Sequence, residues 1–170
     1  MNPQQPQYGT PMPPPMAAPN RWGPTSFGME AHVLAGLSYL STFIIGIIGP
    51  LIVFFVEKNN RFVKFHAAQG ILLGIAGAVL GVLFFIIWFG VLAATTAAGS
   101  TGSQAAANAA ATGFGLGSCL VFCLFGLASL ALLAGTIWGA IAGFSGQATK
   151  LPLIGNIAEK WAGGPVTPAF

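Results

Sequence analysis

Two long stretches of this sequence contain no charged residue. One runs from Ala31 to Val56, and the other separates Lys64 from Lys150. A helix that crosses the hydrocarbon core of a bilayer needs about 20 mostly apolar residues, so these stretches hold room for at least three crossings. Their apolar residues are continuous and do not alternate, which favours helices over the strands of a membrane barrel.

The composition excludes a soluble enzyme. Hydrophobic residues make up 55% of the 170 residues and charged residues only 5%, whereas a soluble domain carries roughly 25% charge. The apolar content also excludes a chain that is disordered throughout. The sequence therefore predicts an all-α integral membrane protein with three transmembrane helices, four being the alternative. We expect a multi-pass protein of the cell membrane, the inner membrane in a bacterium.

Proline and glycine mark off the two ends of the chain. Residues 1–28 hold most of the prolines, interleaved with Gln and Met, and this composition predicts a disordered tail. Residues 162–170 are predicted to form a second flexible tail. Between the tails, residues 31–161 form the expected helical membrane domain.

The membrane domain divides into three apolar segments and a surface helix. We expect the segments at about 32–56, 67–93 and 114–144, with an exposed loop over 94–113. Apolar residues at helical spacing over 152–161 predict a short amphipathic helix in the membrane surface, with Pro152 in its first turn.

The positive charges set the expected orientation, because cytoplasmic flanks of membrane helices are rich in Lys and Arg. With three crossings, the charged turn 57–66 and the C-terminal segment share the cytoplasmic side, and the N-terminal tail lies opposite. Gly46, Gly49 and Pro50 interrupt the first segment, and Gly49 and Pro50 are expected to break the helix. The alternative is a hairpin at this break, which brings all the positive charges to one side. The residues assigned to topology or lipid contact are Lys58, Arg61, Lys64, Lys150 and Lys160.

Glycines at four-residue spacing recur in the second and third segments. Small residues at this spacing let helix backbones approach closely. We expect the second and third helices to pair within one chain, with a dimer seam or a channel lining as alternatives. The glycines assigned to helix packing are Gly70, Gly74, Gly77, Gly81, Gly135, Gly139 and Gly143.

Few residues suggest chemistry. His66 stands at the entrance to a long apolar segment, where it could sense pH or contact a substrate; a helix-capping residue at the membrane surface is the favoured interpretation. Cys119 and Cys123 lie four residues apart without a further metal ligand nearby, so packing is favoured over metal binding.

No enzyme, cofactor or nucleic-acid site is predicted. The sequence has no carboxylate pair, phosphate loop or metal cluster, and its net charge of +3 arises from a shortage of acids. Ser38, Ser41 and Thr42 share one face of the first segment. Hydrogen bonding between helices is the favoured role of that face, and a conducting surface is the alternative.

One sequence pattern resembles a known family. It comprises the Gly49-Pro50 break, the charged turn, and a Gly-rich final helix that leads to Pro152. These features, spread over about Leu34 to Lys160, resemble the family that joins bacterial membrane proteins of unknown function to the twenty-kilodalton component of the chloroplast Tic import translocon. The turn motif that carries the resemblance contains Phe62, Val63, Phe65, His66, Ala67 and Gln69.

Two functions follow as hypotheses. The first is a non-enzymatic scaffold or assembly subunit that packs through its glycines and has the lipid bilayer, itself or other membrane proteins as partners. The second is a translocation or channel-like component with a polypeptide substrate, as the resemblance implies. Neither hypothesis names a substrate.

Overall fold

The computed structural model describes residues 22–100 and 102–166, and the regular elements in these ranges are all α-helices. The greater part of the predicted N-terminal tail, residues 1–21, lies outside the described residues, as do residues 167–170. The helices are α1 (Ala31–Ile45), α2 (Ile48–Val56), α3 (Arg61–Gly99), α4 (Gln104–Phe144) and α5 (Gly155–Trp161).

The helices α3 and α4 are long and apolar enough to cross a membrane. They contain 39 and 41 residues, or about 58 and 61 Å, about twice the thickness of the hydrocarbon core. The expected bounds 67–93 and 114–144 are too short. The expected loop 94–113 is wrong. Its many alanines favour helix, so α3 and α4 extend through most of this range.

Both long helices begin at a capping residue. The side chain of Asn60 accepts the backbone N–H of Val63, and that of Ser103 accepts the N–H of Ala106. These bonds satisfy donors that lack a partner in the first turn of a helix. Residues 61–66, which were expected to belong to the charged turn, are therefore helical.

The first apolar segment is not one continuous helix. It breaks at Gly46, whose φ of 63° and ψ of −145° suit glycine. The predicted break at Gly49 and Pro50 is wrong, because both residues lie in the first turn of α2, where proline costs little. The helices α1 and α2 contain 15 and 9 residues, and neither reaches the roughly 20 residues of a full crossing.

The two short helices form a hairpin that returns to the end where it started. The backbone N–H of Ser26, just before α1, donates to the carboxylate of Glu57, just after α2, at 2.8 Å. Within the hairpin, Gly49 packs against Ser41. The first segment therefore forms a hairpin of two short helices rather than one continuous helix.

The hairpin packs against the beginning of α3 and the end of α4. Pro50 lies over Gly70, and Ile47, near the tip, lies over Gly74. Residues from the start of α1, the end of α2 and the start of α3 share one hydrophobic core. This core contains Ala31, Leu34, Ala35, Val53, Phe62, Val63 and Ala67.

The chain after α4 runs back along α3 and then returns as α5. Ala158 of α5 packs with Phe65 and Ala68 of α3. The helix α5 starts later than the predicted 152–161, and Pro152 lies in a turn ahead of it. The reason is local, because Leu153 has a φ of 67°, which a right-handed helix does not accommodate.

The segment before α1 is ordered by contacts with the start of α3. The Trp22 ring stacks on Phe62 with the centroids 4.1 Å apart, and the Asn60 side chain donates to the carbonyl oxygen of Trp22 at 2.6 Å. The expected boundary of the tail at residue 28 is therefore too late.

Candidate functional site: a buried polar network

His66 lies at the centre of a polar network inside the helix bundle. Its side chain is fully buried, as are those of Tyr39 and Gln69. His66 Nε2 donates to the carbonyl oxygen of Gln147 at 3.0 Å. The segment after α4 covers His66, so its side chain binds a backbone carbonyl inside the protein rather than lipid phosphate.

Gln69 makes the second bond to the same segment. Its Nε2 donates to the carbonyl oxygen of Thr149 at 3.2 Å. The segment from Gln147 to Thr149 is not helical, so its carbonyl groups lack helical partners. Unpaired carbonyl groups are costly within an apolar environment. Gln69 supplies a donor to the Thr149 carbonyl, and His66, three residues earlier on α3, adds a second donor to the Gln147 carbonyl, which also accepts the backbone N–H of Thr149 at 2.9 Å.

Tyr39 connects α1 to these two residues. Its hydroxyl lies 3.2 Å from His66 Nδ1 and 3.1 Å from Gln69 Oε1. A neutral imidazole that donates through Nε2 accepts through Nδ1. The single hydroxyl proton of Tyr39 thus stands between two acceptors. The three side chains join α1, α3 and the segment after α4.

A second polar cluster closes the open end of the hairpin. Glu57 is fully buried, and its Oε1 accepts the N–H groups of Asn59 and Asn60, each at 2.9 Å. The Ser26 hydroxyl donates to the same oxygen at 3.0 Å. The carboxylate therefore acts as an acceptor for the connection between α2 and α3.

The glycines of α4 face a different helix from the one expected. Gly139 lies against the Tyr39 ring, and a Cβ added at Gly143 would lie 2.8 Å from the backbone nitrogen of Gly36. The partner of both glycines is α1, so the expected pairing with the second segment is wrong for them. Gly135 does face α3, where a Cβ would lie 3.6 Å from Leu73.

The glycines of α3 divide into two pairs. Gly70 and Gly74 contact the α1–α2 hairpin, whereas a Cβ at Gly77 or Gly81 would meet nothing within 4 Å. The second pair lines an apolar groove of about 480 Å³ between α3 and α4. Gly126 of α4 lies on the opposite wall of this groove.

The remaining predicted polar residues are not brought together into a site. The hydroxyls of Ser38, Ser41 and Thr42 donate to carbonyl groups of their own helix, so the expected bonds between helices are wrong. Cys119 and Cys123 are free and exposed, not packed in a core. Within residues 22–100 and 102–166, no three His, Cys, Asp or Glu side chains are grouped as a metal site requires.

The basic residues lie near one end of the molecule, where α3 begins. Lys64 Nζ lies 5.3 Å from the centroid of the Phe54 ring, and Lys150 Nζ forms an ion pair of 2.8 Å with Glu159. Lys58, Arg61 and Lys160 are exposed.

The site includes residues that the sequence analysis did not single out. Tyr39, Glu57 and Asn60 are buried polar residues of the two clusters. Asn60 carries a sequence signal, because Asn directly before an apolar helix is a common N-cap. The participation of Gln147 has no such signal, since only its backbone carbonyl takes part.

Residues 24–158 match the magnetosome magnetite crystal formation protein family. This range covers most of the chain and includes both polar clusters. The chain belongs to this family. The description of the family concerns crystal formation rather than a catalysed reaction. The matched range includes α1 to α4, the segment after α4 and the first half of α5.

A curated relative of this family member is a UPF0132 membrane protein from Methanocaldococcus jannaschii. The two chains are 39% identical over 51 residues, which is 30% of this chain and 43% of the relative. The match thus spans less than half of the relative's length. No solved structure matches the chain.

Family membership, the membrane-protein relative and the two long apolar helices support a membrane location. They agree with the prediction of a small membrane-protein family. Neither match names the Tic translocon, so a role in protein import stays a proposal.

Proposed function

We propose that this chain is a non-enzymatic, multi-pass scaffold or assembly subunit of a cell membrane. The contact that carries the proposal is the backbone approach of α4 to α1 at Gly143 and Gly36. Close backbone contact of this kind stabilises helix association in lipid, where the hydrophobic effect between helices is absent. The polar groups of the buried network support the same proposal, because they bond to each other and to backbone carbonyls.

The family description names crystal formation. Under this proposal, the chain would contribute to crystal formation by assembling with partners in the membrane. The chain contains three acidic residues in all, and one of them, Glu57, is buried and used as an acceptor. The proposal accordingly assigns the chain the task of organising a membrane region or its partners rather than of binding iron.

The alternative is translocation or channel activity. The observation that favours it is an apolar groove of about 430 Å³ beside the hairpin tip, lined in part by the hydroxyl-bearing residues Thr42, Ser129 and Thr136. A polypeptide or solute that crosses the membrane along this groove would contact Thr42. The scaffold proposal instead expects partners on the exposed outer faces of α3 and α4.

Photocrosslinking in cells separates the two functions. A photoreactive residue is placed at Ile86 and Leu127, whose exposed fractions are 63% and 68%, and in a second strain at Thr42. Repeated capture of the chain itself or of one fixed membrane protein from the outer positions supports the scaffold. Capture of many unrelated polypeptides from Thr42 would contradict the scaffold proposal and support translocation.

A substitution tests the packing that the scaffold requires. Gly139→Leu introduces a side chain where the Tyr39 ring lies, and we expect loss of accumulation or of the normal oligomer pattern. The matched control on the same helix is Gly115→Leu, because a Cβ at Gly115 meets nothing within 4 Å. Normal accumulation and assembly of Gly139→Leu would contradict the proposal.

A further inference from the structure

We infer that the end of the molecule where α3 begins binds the phosphate headgroups of anionic phospholipids. The inference rests on membrane location alone and not on the scaffold proposal. Its observations are three cations of this end that form no ion pair within residues 22–100 and 102–166, their position around one rim, and the exposed apolar side chains next to them. We call the set of Lys58, Arg61 and Lys160 the basic rim.

The acidic residues of the described chain do not neutralise the basic rim. Glu57 is buried and bonded to N–H and O–H donors. Glu159 pairs with Lys150 at 2.8 Å, and Glu30 pairs with His32 at 3.1 Å. Over residues 22–100 and 102–166, no acidic side chain forms an ion pair with a member of the basic rim.

The three cations lie at the same end of the molecule although they come from different elements. Lys58 lies in the connection from α2 to α3, and Arg61 is the first residue of α3. Gly163, just after α5, lies beside the Arg61 guanidinium. Because α5 is held against α3 through Ala158, Lys160 also belongs to this end. The N-terminal end of the α3 dipole adds positive potential.

Exposed apolar side chains adjoin the basic rim. Phe55, three residues before Lys58, is 70% exposed, and Trp161, directly after Lys160, is 45% exposed. Trp and Tyr of membrane proteins concentrate at the level of the headgroups, whereas apolar side chains such as Phe adjoin the acyl chains, and long cationic side chains extend towards the phosphates. The exposed Trp161 beside Lys160 accordingly points to a position of the basic rim at the height of lipid phosphate.

This arrangement suits lipids better than a soluble anion. The cations are exposed and distributed around a rim rather than lining one pocket. Several headgroups in the plane of a leaflet can therefore each meet one or two cations, while their acyl chains cover Phe55 and Trp161. A free phosphate ion has no acyl chain, so it gains only the contact with the cations.

The test measures lipid binding by the full-length protein in neutral detergent, with native mass spectrometry as the readout. Phosphatidylglycerol and phosphatidylcholine of equal chain length are titrated in parallel. A surface cation contributes about fivefold in affinity for anionic lipid, so Lys58→Gln, Arg61→Gln and Lys160→Gln combined should weaken phosphatidylglycerol binding by about a hundredfold. Phosphatidylcholine binding should stay unchanged.

Lys150→Gln is the matched control, because it removes one positive charge that already has an acidic partner. Its affinity for phosphatidylglycerol should stay near that of the unsubstituted chain. If the triple variant does not fold, Lys160→Gln alone should weaken binding by about fivefold.

Three results would overturn the inference. The first is equal binding of the two lipids, and the second is unchanged phosphatidylglycerol binding by the folded basic-rim variants. The third is displacement of phosphatidylglycerol by millimolar inorganic phosphate, which would assign the same cations to a soluble anion.

Discussion

The carboxylate of Glu57 accepts the backbone N–H of Ser26 at 2.8 Å, and this bond joins the end of α2 to the segment before α1. The same side chain accepts the N–H groups of Asn59 and Asn60. A single buried carboxylate thus closes the hairpin and holds the connection between α2 and α3, where Lys58 of the basic rim lies.

Replacing this carboxylate should destabilise the protein. Glu57→Ala removes the acceptor of the buried Asn60 N–H and of the partly buried N–H groups of Ser26 and Asn59, and we expect the free energy of unfolding to fall by about 2–3 kcal/mol. Denaturation in detergent micelles, followed by circular dichroism, measures the loss. The control is Glu30→Ala, since the Glu30 side chain is 66% exposed in its pair with His32. Equal losses in the two variants would contradict the assignment.

Gln69 should hold the segment after α4 in place. In Gln69→Leu the carbonyl of Thr149 loses its donor and the hydroxyl of Tyr39 loses an acceptor. A loss of about 1.4 kcal/mol corresponds to tenfold more opening of this segment. Limited proteolysis with trypsin, which cuts after Lys150, should therefore be about tenfold faster.

The control for this experiment is Gln104→Leu, at an exposed position at the start of α4. Cleavage after Lys58 provides an internal reference in both variants. Proteolysis after Lys150 at the rate of the unsubstituted chain would show that Gln69 does not hold the segment.

Two glycines of α4 should respond in opposite directions to alanine. A methyl group at Gly143 meets the backbone of Ala35 and Gly36 within about 3 Å, whereas a methyl group at Gly135 makes an ordinary contact of 3.6 Å with Leu73. Overpacking against backbone costs about 1–3 kcal/mol. Gly135→Ala should be neutral or stabilising by up to about 1 kcal/mol, because alanine favours helix. Thermal unfolding of both variants in one detergent gives the comparison, and a Gly143→Ala variant as stable as Gly135→Ala would refute the contact.

The hairpin predicts a specific membrane topology. After Cys119 and Cys123 are replaced by alanine, single cysteines are placed at Phe27, Asn59 and Ser103. A membrane-impermeant thiol reagent should label Phe27→Cys and Asn59→Cys from one side and Ser103→Cys from the other. A continuous first crossing would instead place Phe27→Cys and Ser103→Cys on the same side of the membrane. Labelling of these two positions from one side would therefore exclude a re-entrant hairpin.

The membrane class of this protein is determined by the sequence itself. Stretches without charge, such as the one between Lys64 and Lys150, have a physical consequence that does not depend on tertiary contacts. The turn motif also proved informative about the core. Phe62, Val63, Phe65, His66, Ala67 and Gln69 are all buried.

Only the tertiary structure decided how the first apolar segment is used. Its length permits one crossing, and the choice of a hairpin depends on the positive φ of Gly46 and on the bond from Ser26 to Glu57. Glycine adopts this conformation without being obliged to. Ser26, the partner of Glu57, follows a proline-rich stretch of sequence for which no regular structure is predicted.

The hydrogen-bond partners of His66 and Gln69 likewise could not be predicted from the sequence. Both bind backbone carbonyls about 80 positions away, at Gln147 and Thr149. Every residue has a carbonyl group, so side-chain identity carries no signal for such a bond. The sequence supplied the donors and the apolar surroundings, and the path of the chain after α4 determined which carbonyl groups they satisfy.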